Sequence, residues 1–257
     1  MPNRPSPFRL TAIVLFSIIL AITGSVLTAS GVNANGGPIA AFESVRTLLG
    51  LSVPASTSAF FATKTSNQSG AWNVGSTWVG GVVPASGDTV VIANTHTVTL
   101  SADANIGAGT VTVQSGGILD LSAQQLTAAT LTIDNGGEVQ QAGSTTAPSG
   151  TITTRSYAAN STYTYKGTQT GLSGTHPTYG NLVFAPSPAG AGTFGVNLSV
   201  LGNLTINLGT TQEVRLSTGT TGRTHSIGGN LNLQNGILVG SNGSSAAGSS
   251  TTTIGGA

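Results

Sequence analysis

A short phrase returns through the second half of the chain and constrains its fold more than any other feature. It reads Gly180-Asn181-Leu182-Val183-Phe184, then Gly202-Asn203-Leu204-Thr205-Ile206, then Gly229-Asn230-Leu231-Asn232-Leu233, and a fourth copy opens at Gly255. Val200, Ile227 and Ile254 introduce the last copies at one constant offset. Upstream, Thr110-Val111-Thr112-Val113 with Gly116-Gly117 returns at a shorter offset as Thr130-Leu131-Thr132-Ile133 with Gly136-Gly137. Recurrence at about 20 to 50 residues belongs to stacked units that share one continuous core.

Within each phrase apolar residues alternate with hydroxyls or amides, as in Leu204-Thr205-Ile206, which gives a short strand one buried and one solvated face. Such strands are too short to stand alone. Stacking pairs their backbone groups and buries each Leu, Ile and Val against its equivalent in the next rung. Leu204, Ile206, Leu231 and Leu233 are therefore expected in a shared core. A rung at the short end of that range accommodates two or three short strands with corners, so the expected fold is all-β, a right-handed parallel β-helix. A sandwich would instead place turn signals at closer, regular intervals without recurrence of a whole phrase. The Gly-Asn pair is expected to form a left-handed or tight corner, with Asn181, Asn203 and Asn230 hydrogen-bonding through their amides as a ladder.

Composition limits what such a stack can do. Charged residues are 6% of the chain and the net charge is +1, against roughly a quarter charged in an ordinary domain. Nucleic acid is excluded as a partner, because it requires a basic stripe to replace counterions. Hydrophobic residues at 38% argue against a disordered chain. Cysteine is absent, which removes disulfides and thiolate metal sites together.

Arg4 and Arg9 precede an uncharged stretch from Leu10 to about Ala29, which reads as an export signal within residues 1–34, with an uncleaved membrane anchor as the alternative. The mature region is expected outside the cell and off the membrane unless that segment is retained. Residues 35–66 are read as a cap and connector. Ile39, Phe42, Val45 and Leu48 lie at helical spacing, suited to a short helix over the open end of the stack or to a mobile leader. Residues 67–145 are assigned to the first rungs, 146–178 to irregular Tyr-rich rungs, and 179–257 to the Gly-Asn-Leu rungs. The last copy breaks off at Ala257, as in a fragment of a longer product.

The order Trp72, Trp78, Gly80-Gly81, Pro84, Gly87-Asp88, Val90-Val91-Ile92 and His96-Thr97-Val98-Thr99-Leu100 resembles the opening rungs of secreted bacterial β-helix proteins. It is similar also to the glycine-rich extracellular domain named for its eight glycines. Ser161 to Gly167, followed by Thr178-Tyr179-Gly180-Asn181-Leu182, resembles the repeat region of surface proteins exported by type IX secretion. These resemblances imply a bacterial cell-surface or secreted protein, structural or adhesin-like, whose partners are extracellular polysaccharide or other surface proteins.

Candidate chemistry is sparse. The shorter upstream offset places Asp120 and Glu138 on adjacent strands and one outer face, roughly 7–8 Å apart as diagonal neighbours, a separation compatible with acid and base of an inverting glycosidase. The same residues serve equally as solvated surface carboxylates. Tyr163 and Tyr165 share one face and are candidates for stacking on sugars, or for packing over rung edges. Trp72 and Trp78 read as a cap. His96, His176 and His225 are isolated from one another and no Asp-rich loop occurs, so neither a metal nor a cofactor is expected. The resulting expectation is a non-catalytic exported scaffold, with a carbohydrate-binding module or a polysaccharide lyase or hydrolase as alternatives.

Overall fold

The computed structural model describes residues 61–143, 147–168, 171–186, 192–208, 212–217, 222–240 and 251–255. The export segment, the helix over residues 36–51 and the fourth Gly-Asn-Leu copy beyond Gly255 lie outside them. The described chain is an all-β parallel solenoid. Its spine is an eight-stranded parallel sheet that takes one strand from each rung: Gly70–Ala71, Thr97–Thr99, Ile118–Asp120, Glu138–Gln141, Thr162–Tyr165, Asn181–Phe184, Leu204–Asn207 and Leu231–Asn235.

A second sheet accompanies the first half of the stack, with Thr63–Thr65, Thr89–Ile92, Thr110–Val113, Leu126–Ile133 and Ile152–Tyr157 in that spatial order. Ala104–Asn105 adds to the start of its long strand, Leu126–Ile133. In the second half two smaller parallel sheets take over. One orders Gly171–Leu172, Gly192–Phe194, Glu213–Arg215 and Ile237–Val239, and the other Leu198–Val200, Thr224–Ile227 and Thr251–Ile254.

The register follows both sequence periods. Thr110 lies opposite Thr130 and Val113 opposite Ile133, while Val200, Ile227 and Ile254 face one another in turn. Parallel in-register pairing makes each core position a continuous file. Val98, Leu119, Val139, Tyr163, Leu182, Leu204 and Leu231 form one. All but Leu231 are fully buried, and each large apolar side chain so placed contributes about 1.5–3 kcal/mol. Leu204 and Ile206 occupy the core as expected.

Leu231 and Leu233 depart from that expectation. They lie in register with Leu204 and Ile206, but their strand ends the eight-stranded sheet. Leu231 is only partly buried against the core, and Leu233 is 43% exposed. Among the described residues, no strand lies beyond theirs in that sheet to cover them.

The Gly-Asn phrase also works differently from the expected corner. None of Gly180, Gly202 and Gly229 has a left-handed φ, whereas Gly116 and Gly136 of the upstream phrase do, at 74° and 79°. What the three glycines supply is room. A Cβ on Gly229 would stand 2.5 Å from Asn203 Oδ1, and one on Gly202 would meet Asn181 Oδ1. The asparagine of one rung thus lies across the glycine of the next. Its Oδ1 accepts the backbone N–H of the following asparagine, at 2.8 Å from Asn203 to Asn181 and 2.8 Å from Asn230 to Asn203. The ladder runs side chain to backbone, not amide to amide.

Candidate functional surfaces

The outer face of the spine carries the only acidic pair that the sequence singled out. Ile118 faces Glu138 and Asp120 faces Gln140, as the shorter period requires. Folding adds what sequence distance concealed. Lys166 Nζ donates to Asp120 Oδ2 at 2.9 Å and to Gln140 Oε1 at 2.7 Å. Gln140 Nε2 donates to Glu138 Oε1 at 3.0 Å, and Thr164 Oγ1 donates to the same oxygen at 2.8 Å. Asp120 Oδ1 also accepts the backbone N–H of Ser122 at 2.8 Å.

Both carboxylates are therefore held by donors from neighbouring rungs, and the group ties three strands together across the sheet. Its lysine and aspartate are partly exposed, at 35% and 16%, so water screens the pair and its expected contribution is about 0.2–1 kcal/mol. Lys166→Ala should lower stability in urea by no more than about 1 kcal/mol. A loss several times larger would mean that the tie organises the rungs.

Tyr163 and Tyr165 require a correction. They share a face, as alternation dictates, but it is the inner one: the rings are 1% and 0% exposed and cannot stack on a sugar. Their strand lies between Glu138–Gln141 and Asn181–Phe184, and Thr162 and Thr164 take the outer positions. Tyr157 and Tyr179 join them, with Tyr163 5.8 Å from Tyr157, 5.1 Å from Tyr165 and 5.6 Å from Tyr179 between ring centroids.

Tyr163, Tyr165 and Tyr179 find partners inside the stack, whereas Tyr157 Oη is buried without one among the described residues. Tyr163 Oη donates to Gln141 Oε1 at 2.5 Å, Tyr165 Oη and Tyr179 Oη lie 3.1 Å apart, and His176 Nδ1 stands 2.7 Å from Tyr179 Oη. Gln141 is itself inside, its Nε2 donating to Ala147 O at 3.0 Å and its Oε1 accepting from Ser149 N at 2.7 Å. Burial pushes all four phenols well above their ordinary range, opposed only in part by Arg155 at Tyr157, Tyr163 and Tyr179. They stay neutral, as a core requires.

Trp72 and Trp78 are buried and meet edge to face at 5.1 Å. Trp78 Nε1 donates to Trp72 O at 2.7 Å, and Trp78 forms an antiparallel bridge to Ser66. Both rings are thus packed inside the first rung. The histidines are dispersed: His96 Nδ1 is 2.9 Å from Ser66 Oγ, and His225 Nε2 donates to Leu216 O at 2.7 Å. Among the described residues, no three His, Asp or Glu side chains gather where they could hold a metal ion.

His225 offers a pH prediction. Burial, assisted by the charge of Arg223, holds its imidazole below the ordinary 6.5, although its bond to Leu216 opposes the shift. The folded state therefore favours the neutral ring, and below 6.5 the unfolded chain binds more protons. Stability is expected to fall as pH drops through 6.5 toward the folded value, and His225→Phe should flatten that limb of a pH–stability curve. A variant with the wild-type slope would assign the acid sensitivity to another group.

Residues 77–184 match the family model of the G8 domain. The G8-like stretch runs from the closing turn of the first rung to the end of Asn181–Phe184. Leu204–Asn207 and Leu231–Asn235 lie beyond it, yet extend the same sheet in register. The stack is thus longer than the part that is similar to the G8 domain. No curated protein and no solved structure matches the chain.

Proposed function

We propose that the chain is an exported, non-catalytic scaffold, a secreted or bacterial cell-surface solenoid with an adhesin-like role. The observation that carries this reading is the employment of its polar residues. Asp120, Glu138, Gln140, Thr164 and Lys166 hold one another across rungs, and the asparagines hold the next rung's backbone. Similarity to the G8 domain and the low charge support an extracellular setting, and no helix among the described residues is long and apolar enough to cross a membrane. A sugar ligand, in this reading, would meet the outer faces, since Tyr163 and Tyr165 are enclosed.

The test has two parts. Fractionation of expressing cells should recover the chain outside the cytoplasm, accessible to added protease on intact cells. A panel of polysaccharides should show no turnover by the purified chain. Cytoplasmic retention would overturn the exported scaffold, and turnover abolished by Asp120→Asn or Glu138→Gln would replace it with an enzyme.

A further inference from the structure

The outer face of the second sheet differs from that of the spine. Thr63, Thr89, Thr110, Thr130 and Thr154 lie in one unbroken file across all five strands. Two residues along each strand runs a second file, Thr65, Val91, Thr112, Thr132 and Ser156. Inward positions of the same strands hold Val90, Ile92, Val111, Val113, Leu131 and Ile133, with no threonine among them. The corresponding outer positions of the spine are mixed, with Ile118, Asp120, Glu138, Gln140 and Val183. Preference for β-branched residues in strands would scatter Val, Ile and Thr over both faces. Here hydroxyl and methyl are sorted onto one.

The two files carry neither a charge nor an aromatic ring. Lys64 and Arg155 stand in register with Val90 and Leu131, at inward positions, so neither belongs to a file. The guanidinium of Arg155 is taken up by the carbonyls of Ile152 at 3.1 Å and Gly150 at 3.1 Å. Among the described residues, the hydroxyls of the files are joined to one another only by Thr110 and Thr89, at 3.5 Å, so most of their hydrogen-bonding capacity faces solvent. Restricted χ1 rotation gives threonines on one pleated surface a common orientation. Parallel pairing sets neighbours in a file about 4.7–4.9 Å apart, and the files about 6.6 Å apart along the strands.

We propose that this threonine face binds ice. A neutral, two-dimensional array of hydroxyls and methyls with repeats of this size is on the scale of the oxygen spacings of an ice surface, and it orders water without a charge to disrupt the lattice. A polyanion would need cations here, and a soluble glycan would use aromatic stacking, and the files have neither. Rigid strands over a packed core mean that little freedom is lost on binding, so many weak contacts sum.

The experiment grows polycrystalline ice slowly from a dilute solution of the full chain and measures by absorbance the fraction taken into the solid. Wild type should enter the ice, and Thr110→Lys with Thr130→Lys should reduce its ice-to-liquid ratio by about tenfold or more, a loss of roughly 1.4 kcal/mol. Thr205→Lys, on the outer face of the spine, should enter as wild type does. Circular dichroism checks each fold. Should the lysine pair not fold, Thr112→Val with Thr132→Val removes two hydroxyls at nearly constant shape and should lower the ratio. Exclusion of wild type from ice, equal uptake of all variants, or threonine-dependent pelleting with crystalline cellulose in place of ice would each overturn the proposal.

Discussion

Leu204→Asp is expected to unfold the rungs around it, whereas Thr205→Asp one residue away should leave stability within about 0.5 kcal/mol. Leu204 is fully buried, with Leu182 on one side and Leu231 on the other in its file. Its surroundings offer a carboxylate neither a cation nor a donor in register. An uncompensated buried charge costs about 3–5 kcal/mol, against about 5–15 kcal/mol for the whole stability of a typical domain. Thr205 stands between Val183 and Asn232 on the outer face, where water solvates an added carboxylate. Urea unfolding of the two variants followed by circular dichroism measures the difference. Equal tolerance would show that the strand presents its other face to the core.

The sequence displayed rung spacing well and side-chain destinations unevenly, for a physical reason. In a parallel in-register stack equivalent residues face one another, so Thr110 and Thr130, or Ile227 and Ile254, announce the contact by recurring. Asp120 and Lys166 share no such period. They meet because the intervening strands bring Lys166 over a rung of different length, and a pairing across two unequal rungs leaves no regular trace. The tyrosines were legible in part: alternation placed Tyr163 and Tyr165 on one face, and the flanking Thr162 and Thr164 already pointed to the inner one. Gln141 gave no sign of being inside, because a buried amide depends on partners such as Ser149 and Tyr163 that only the folded chain assembles.

The second large effect is expected at the first glycine of the repeated phrase. A Cβ added to Gly180 would fall inside contact distance of the backbone oxygen of Ala158 and 2.6 Å from that of Ser161. A flexible side chain could turn aside; these atoms belong to the rung below and cannot. Moving the strand outward would stretch the bonds from Asn181 N and Nδ2 to Ser161 O, now 2.6 and 3.1 Å. It would also disturb the acceptor that Asn181 offers to Asn203 at 2.8 Å. Gly180→Ala should therefore cost about 1–3 kcal/mol, the range for forcing extra volume into a packed site. Gly240→Ala is the matched control, since nothing among the described residues lies within 4 Å of its added Cβ. That change should be neutral or stabilising by up to about 1 kcal/mol through the unfolded chain. Thermal unfolding of both variants distinguishes close approach from backbone freedom as the reason for the glycine. If both shift alike, spacing between rungs is not what the phrase preserves; if only Gly180→Ala falls, the missing side chain is what lets this strand lie close against the backbone of the preceding rung.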